Sequence, residues 1–434
     1  MKTDGNRATD RTRRWRALLL LASLLGAFAA LVLGALCFAG PAKAQNAATP
    51  GPYERARPPA PEEPGFRLSG DYTSDVNANV SGGERRGIAY LGKIALIADA
   101  DLGRLLGMVG ATAHASIIDI HGTGLSSHFV SNLSTVSGLE AEPAVRLNQL
   151  WVAIDLTKRT SLRIGKFPAA QDFMASSTAS LFINATFGWP TSFATDLPSG
   201  GPSWPLAAPG IMIKSHVSSK VMVSGAIFAG DPAGPGDGDP QRRDAHGFNA
   251  FGFAGRPMLI GEVGLQIGST ATVKAGGWIH FGAFAAQGPG PLPQLSGDWT
   301  IYGVADWKIL GGKKGGRTLN GFARWSVSPG DRNAISWYGD AGLVLSGPFQ
   351  ARPDDKLGLA VAHVGVTDRL WLPARPRAEW VVELTYQAQL TTSLSVQPNL
   401  QLIVDPIDPG ALGAGSLVAS KNALVLGARA AWTF

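Results

Sequence analysis

Cysteine is all but missing from this chain: among 434 residues it occurs once, at Cys37. One thiol cannot build a disulfide framework or a thiolate metal site. Charge is also scarce, at 16% Asp, Glu, Lys and Arg against about 25% in soluble domains. Only one long uncharged run exists, Ala17 to Gly40, so a bundle of membrane-spanning helices is excluded. Nowhere does a fifteen-residue stretch carry the apolar period of an amphipathic helix. The seven histidines, His114, His121, His128, His216, His246, His280 and His363, show no HExxH or other ligand spacing. No GxSxG, Walker loop or dinucleotide fingerprint occurs, and the run Gly311 to Gly316 reads as a turn. What the chain has instead is glycine, 55 residues, and 45% hydrophobic residues, which exclude a disordered or coiled-coil chain.

The formal charge of +6 invites a nucleic-acid reading, and location argues against it. Lys2, Arg7, Arg11, Arg13, Arg14 and Arg16 precede the uncharged run, and Ala42-Lys43-Ala44 closes it. Basic start, apolar middle and small-x-small end predict a secretory signal peptide over 1–44, cut before Gln45. A retained membrane anchor is the alternative. Removing seven basic and two acidic residues from 38 and 32 leaves 31 and 30, a net of +1. No nucleic-acid partner is then expected, and Cys37 leaves with the leader. Residues 45–65 hold six prolines and read as an extended periplasmic linker.

From Phe66 onward, period-two alternation recurs between Gly, Pro, Asn and Asp clusters. In the last segment Leu424, Leu426, Ala428, Ala430, Trp432 and Phe434 share one face while Arg429 points the other way. Trp380 to Leu390 sets Val382, Leu384 and Tyr386 against Glu383, Gln387 and Gln389, and Leu319 to Val327 sets Trp325 against Asn320 and Arg324. Fifteen or sixteen such segments fit into the 369 residues of 66–434, about 23 per strand with its connection. That spacing suits tilted strands joined alternately by short turns and long loops. Trp151, Trp299, Trp307, Trp337, Trp380 and Trp432 fall near strand ends, as an interfacial girdle requires, so the apolar faces are expected to point outward to lipid. The fold expected is all-β, a transmembrane antiparallel β-barrel of about 16 strands. Pro398, mid-pattern in its strand, predicts a bulge.

Several stretches resemble the OprB-type carbohydrate-selective porins of Gram-negative bacteria. They include Asn79-Val80-Ser81-Gly82-Gly83-Glu84-Arg85-Arg86-Gly87, Ser161-Leu162-Arg163-Ile164-Gly165-Lys166-Phe167, and Ile183-Asn184-Ala185-Thr186-Phe187-Gly188-Trp189-Pro190 continuing to Asp196-Leu197-Pro198-Ser199-Gly200-Gly201-Pro202 and Trp204-Pro205-Leu206-Ala207. Gly230-Asp231-Pro232-Ala233-Gly234, Arg352-Pro353-Asp354-Asp355 and Ser395-Val396-Gln397-Pro398-Asn399-Leu400-Gln401 extend the likeness across 66–434. The resemblance implies a sixteen-stranded outer-membrane barrel that admits monosaccharides such as glucose by passive diffusion, without the N-terminal anchoring module of some relatives. A general small-solute porin and a structural or adhesin barrel are the alternatives; a barrel enzyme lacks a motif that would assemble its triad, and no cofactor is expected.

A sugar pore must replace the hydration of many hydroxyls without holding the solute tightly. Guanidinium donors, carboxylate and amide groups and aromatic faces do this, which makes Arg85, Arg86, Arg163, Asn184, Trp189, Asp196 and Arg324 the candidate sugar contacts. The forty-residue stretch from Ala169 to Ala208 is too long for a simple connection and is expected to fold into the lumen as a constriction loop. For each candidate a plainer role stands beside this one: Arg85 and Arg86 at a lipopolysaccharide or solvent-facing strand end, Trp189 packing a loop to the wall. The acidic stretch Asp231 to Asp239 offers oxygen ligands of the kind calcium takes but lacks the EF-hand spacing, and reads as an ordinary loop. Expected partners are sugar solutes, outer-membrane lipid and lipopolysaccharide, and the barrel assembly machinery through Phe434, with the protein a monomer or homotrimer.

Overall fold

The structure, a computed structural model, describes residues 65–248, 255–289, 291–311, 316–370, 377–414 and 420–434. The leader and all of the proline-rich stretch except Gly65 lie outside these residues, as do most of the run Gly311 to Gly316 and residues 249–254.

Alternating apolar and polar side chains become strands here because each face then meets one environment. Sixteen strands stand among the described residues: β1 Phe66–Gly83, β2 Gly87–Asp101, β3 Ala111–Gly122, β4 Ala144–Thr157, β5 Thr160–Phe167, β6 Ala208–His216, β7 Val221–Phe228, β8 Met258–Ile267, β9 Ala271–Ala285, β10 Gln294–Leu310, β11 Thr318–Val327, β12 Ile335–Ser346, β13 Lys356–Val366, β14 Ala378–Gln389, β15 Leu394–Val404 and β16 Lys421–Thr433. Each pairs antiparallel with its neighbour in sequence, and β16 closes on β1, with Tyr72 opposite Trp432, into a barrel. Closure removes the open sheet edges that would otherwise turn rows of unpaired backbone groups toward lipid. Phe434 extends the seam: its N–H donates to Gly70 O at 2.9 Å and its carbonyl accepts from Gly70 N at 2.8 Å. A Cβ at Gly70 would meet the Phe434 ring at 2.5 Å, so glycine there leaves the ring its place against the strand.

Short turns gather at the end of the barrel that holds Phe434, including 158–159, 268–270 and 390–393. The opposite end carries the long connections, 123–143, 168–207, 229–257 and 405–420. The outer wall is apolar, with Leu68, Val76, Leu96, Leu259 and Leu384 among its exposed side chains. Within this wall Asp119 and His121 project outward from β3 and pair at 3.4 Å, with both side chains over a third exposed, beside the hydrogen-bonded Tyr72 and Tyr90 hydroxyls.

Two expectations change in the fold. Trp151 is not a girdle residue; it is buried on the inner face, stacked on His114 at 4.9 Å. A shift in the β3–β4 register between Ser116 and Ile117 re-aims the strand ahead of it. Trp299, Trp380 and Trp432 do face outward. Pro398 makes no bulge: the β15–β16 ladder runs through it unbroken, and the β14–β15 ladder skips from Asn399 to Val396 without a register change. Proline lacks the N–H that rung would use, and the Gln397 side chain bridges the gap by donating to Thr385 Oγ1 at 2.9 Å.

Candidate functional site

The connection 168–207 folds into the barrel, and the reason lies in side chains that the strands aim inward. Arriving with many unpaired backbone N–H groups, an irregular loop inside a barrel needs acceptors. Carboxylates on the inner wall supply them. Glu383 on β14 accepts from Ile183 N at 2.8 Å and Asn184 N at 2.9 Å. Glu262 on β8 accepts from Met174 N at 2.9 Å, and Asp306 on β10 from Ser176 Oγ at 2.6 Å and Thr178 N at 3.1 Å. The connection 123–143 is fixed in the same way by Glu379, which takes Leu133 N at 2.9 Å, Ser134 N at 2.7 Å and also Ile407 N at 2.9 Å. The two loops join one another through Gly138 N to Ile183 O, 2.9 Å, and Ala185 N to Thr135 O, 3.0 Å.

Apolar contacts complete the docking. Phe193 on the short helix α1, Thr191–Asp196, meets Trp278 and Tyr302 of the wall with ring centroids at 6.0 and 5.8 Å. Farther along, Phe182 and Phe187 pack on Phe322. A cavity of about 510 Å³ is left between the loops. Its wall includes Ser137, Glu140, Asn148 and Gln171, the aromatic rings of Trp189 and Trp204, and Asp239 from the connection 229–257. The Trp204 indole N–H has no partner.

The seven candidate residues divide by position. Asn184 and Trp189 line the cavity. Asn184 is buried, its amide donating to Ser134 O and Gln401 Oε1, both at 3.0 Å; the Trp189 indole donates to Gly200 O at 3.0 Å. Asp196 ends α1 and accepts from Ile335 N at 3.1 Å. Burial, with Asp298 nearby, pushes its carboxyl well above the usual range against that hydrogen bond. Arg324 faces inward, and all five of its N–H groups are used: Nη1 donates to Met174 O at 3.1 Å and Gly188 O at 3.0 Å, Nη2 to Thr186 O at 3.0 Å and to Asp340, and Nε to Asp340. It clamps the loop to β11 and β12. Arg163 pairs with Asp172 at 2.7 Å and lies over the Trp151 ring at 4.7 Å. Arg85 and Arg86 sit exposed in the β1–β2 turn, Arg85 over Phe129 at 4.7 Å with Nε donating to His128 O.

Sequence reasoning passed over Glu140, whose oxygens accept from Ser126 N at 3.1 Å and Ser126 Oγ at 2.9 Å, and the anchors Glu262, Glu379 and Asp340. A carboxylate on the polar face of a strand, level with a long loop, was the available signal. In the acidic stretch, Asp231 accepts from Ser199 Oγ at 2.5 Å, and Asp239 caps the turn of helix α2, Pro240–Arg243. Among the described residues no three His, Cys, Asp or Glu side chains stand where they could hold a metal ion.

A closed sixteen-stranded barrel, narrowed by a loop from its own wall, has the build of a diffusion channel. The family model of the carbohydrate-selective porins, OprB family, matches residues 85–434. The chain belongs to the OprB family. Porin B of Pseudomonas aeruginosa is 23% identical over 419 residues, covering 84% of this chain and 87% of the relative. The high-pH structure of Pseudomonas putida OprB superposes with a TM-score of 0.74 at 21% identity, covering 85% of this chain and 94% of that one; its low-pH structure gives 0.52 at 19%. As an OprB-family barrel, the protein is a porin of the Gram-negative outer membrane, with the long connections at the extracellular end and the short turns in the periplasm.

Proposed function

We propose that the barrel passes monosaccharides such as glucose by passive diffusion, and that the loop-lined cavity is the selective part of the path. The cavity between 123–143 and 168–207 carries this reading: amide, hydroxyl and indole groups surround a space bounded by aromatic rings, the surface a pyranose needs to exchange its hydration shell. Within that reading Trp189 meets the solute, together with Trp204 and Glu140, while Asn184, with both amide hydrogens and its side-chain oxygen already used, holds the loop beside them. Arg324 positions the loop and does not touch sugar, since no donor is left on it. Arg163 and Asp196 brace the two ends of the loop, and Arg85 and Arg86 stand at the extracellular rim, within reach of lipopolysaccharide phosphates.

Two parts of the reading concern export and assembly. The basic and apolar leader over 1–44 directs the chain to the periplasm, 45–65 forms a linker, and 66–434 is the pore domain. The terminal Phe434 is the element read by the assembly machinery.

Liposome swelling tests the function. Purified protein should admit glucose much faster than a disaccharide and faster than triglycine, a non-sugar solute of similar size. Swelling in glucose no faster than in protein-free liposomes overturns the reading. Equal rates for glucose and triglycine reduce it to a general porin.

A further inference from the structure

We infer that Gln241 and Gln171 are successive hydrogen-bonding stations for the sugar, the first on the extracellular connection 229–257 and the second farther in, on the loop 168–207. The inference rests on the pore reading above and adds which side chains hold the solute's hydroxyls.

A solute can bind only to groups that the fold has left free, and most polar groups of the cavity wall are already engaged. The hydroxyl of Ser137 donates to Asp75 at 2.5 Å, that of Ser176 to Asp306 at 2.6 Å, that of Ser180 to Ser177 O at 2.7 Å and that of Ser199 to Asp231 at 2.5 Å. Both amide hydrogens of Asn184 and the indole N–H of Trp189 are spent as well. Glu140 accepts from Ser126 on both oxygens, and Asp239 caps α2. Among the described residues of the wall, unspent donors remain on Gln171, Gln241, Thr135, Thr195 and Trp204, with one further hydrogen on Asn148.

The two glutamines stand apart because an amide offers donor and acceptor side by side. Gln171 has no side-chain hydrogen bond to any described residue. Its oxygen can accept from one hydroxyl while its NH2 donates to the next, the pairing that adjacent hydroxyls of a pyranose present. Gln241 is fixed in advance: its Oε1 accepts from Glu142 N at 2.7 Å, which ties the side chain to the connection 123–143 and leaves both hydrogens of Nε2 for a solute.

Their order along the passage follows from what their neighbours touch. Gln241 lies on α2, in a connection at the extracellular end. Gln171 precedes Asp172, whose carboxylate reaches Arg163, halfway along β5, at 2.7 Å and Lys214 of β6 at 4.0 Å. Those contacts draw this part of the loop down the inner wall, so a solute entering from outside meets Gln241 first. Neutral hydrogen bonds at two sites hold a sugar weakly enough for it to move on, as conduction requires.

The test is uptake of radiolabelled glucose into proteoliposomes, with the monodeoxy glucoses as unlabelled competitors. Wild-type uptake should saturate, and at least one deoxy sugar should compete roughly fivefold more weakly than glucose, a loss of about 1 kcal/mol at 1.4 kcal/mol per decade. In Q171M and in Q241M the half-saturating glucose concentration should rise about fivefold, and the deoxy sugar that lacks the matching hydroxyl should then compete as well as glucose. A loop that had merely loosened would weaken glucose and every deoxy sugar alike, leaving their ratios as in the wild type. Unchanged ratios in both variants, or wild-type uptake that does not saturate, overturn the inference and leave the pore reading standing. Ratios altered in one variant alone overturn the pair of stations. If glucose does not enter at all, the pore reading fails instead.

Discussion

Arg324 shows how a residue can face a lumen and still be unavailable to a solute. Its position on the polar face of β11 follows from alternation, but its five donors are spent on Asp340 and three loop carbonyls. Truncating one partner of a buried pair leaves the other charged and unpaired, at a cost of about 3–5 kcal/mol. R324A is therefore expected to lower the unfolding temperature and to raise single-channel conductance as 168–207 loosens; R324K, with three donors and no fork, should fall between. Conductance unchanged in R324A would show that the loop does not depend on this clamp. Glu140 adds a pH dependence. Burial lifts its carboxyl from about 4.5 to about 7. A raised carboxyl means that the folded state holds the proton more tightly, so its contribution to loop docking is complete below about pH 4.5 and lost as pH rises through about 7. Hydrogen exchange of 123–143 should quicken across that window in the wild type and much less in E140Q.

At the scale of single elements, the strands and the loops obey different rules. A strand's inner and outer faces follow from its period of two, so Arg429 inward and Trp432 outward on β16 were readable directly. Asp119 and His121 break the rule on β3, where an ionisable pair faces the lipid side. Such groups are unfavourable there, and replacing both (D119L with H121L) is expected to raise stability in lipid by on the order of 1 kcal/mol, read as a higher unfolding temperature in bilayers. A lower temperature would show that the pair meets something other than acyl chains. The loops have no such period. That 168–207 was too long to be a simple connection was visible in its length, and its seat inside the barrel depends on Glu262, Asp306 and Glu383, which lie 88 to 200 residues away along the chain. E383Q replaces an acceptor of two backbone N–H groups by an amide with one acceptor oxygen. Faster exchange at Ile183 and Asn184 is expected, with the β14 amides unchanged.

At the scale of the molecule, closure is the decisive event. Tyr72 opposite Trp432, and the Gly70–Phe434 pair beyond them, join the two ends of the barrel. Removing Phe434 should reduce the amount of folded, heat-modifiable barrel in the outer membrane, measured as the unboiled fast-migrating band. A full yield would remove this residue from the assembly signal.

Alternation, glycine-rich punctuation and a terminal aromatic determined, without any structure, that this chain is an antiparallel barrel of about sixteen strands with an apolar outside, because lipid selects side chains by face and the strand has only two. The same pattern marked Arg324 as inward and the long loop as unusual. Which inward groups remain free for a solute was decided only in three dimensions. Hydrogen bonds are made by atoms that meet, and the partners of Arg324, Glu383 and Glu140 come from distant segments whose approach no local period records. Trp151 turned inward for a related reason: one register shift between neighbouring strands reverses a face, and the shift is a property of the pair. The sequence supplied the wall, and tertiary structure chose what lines the passage through it.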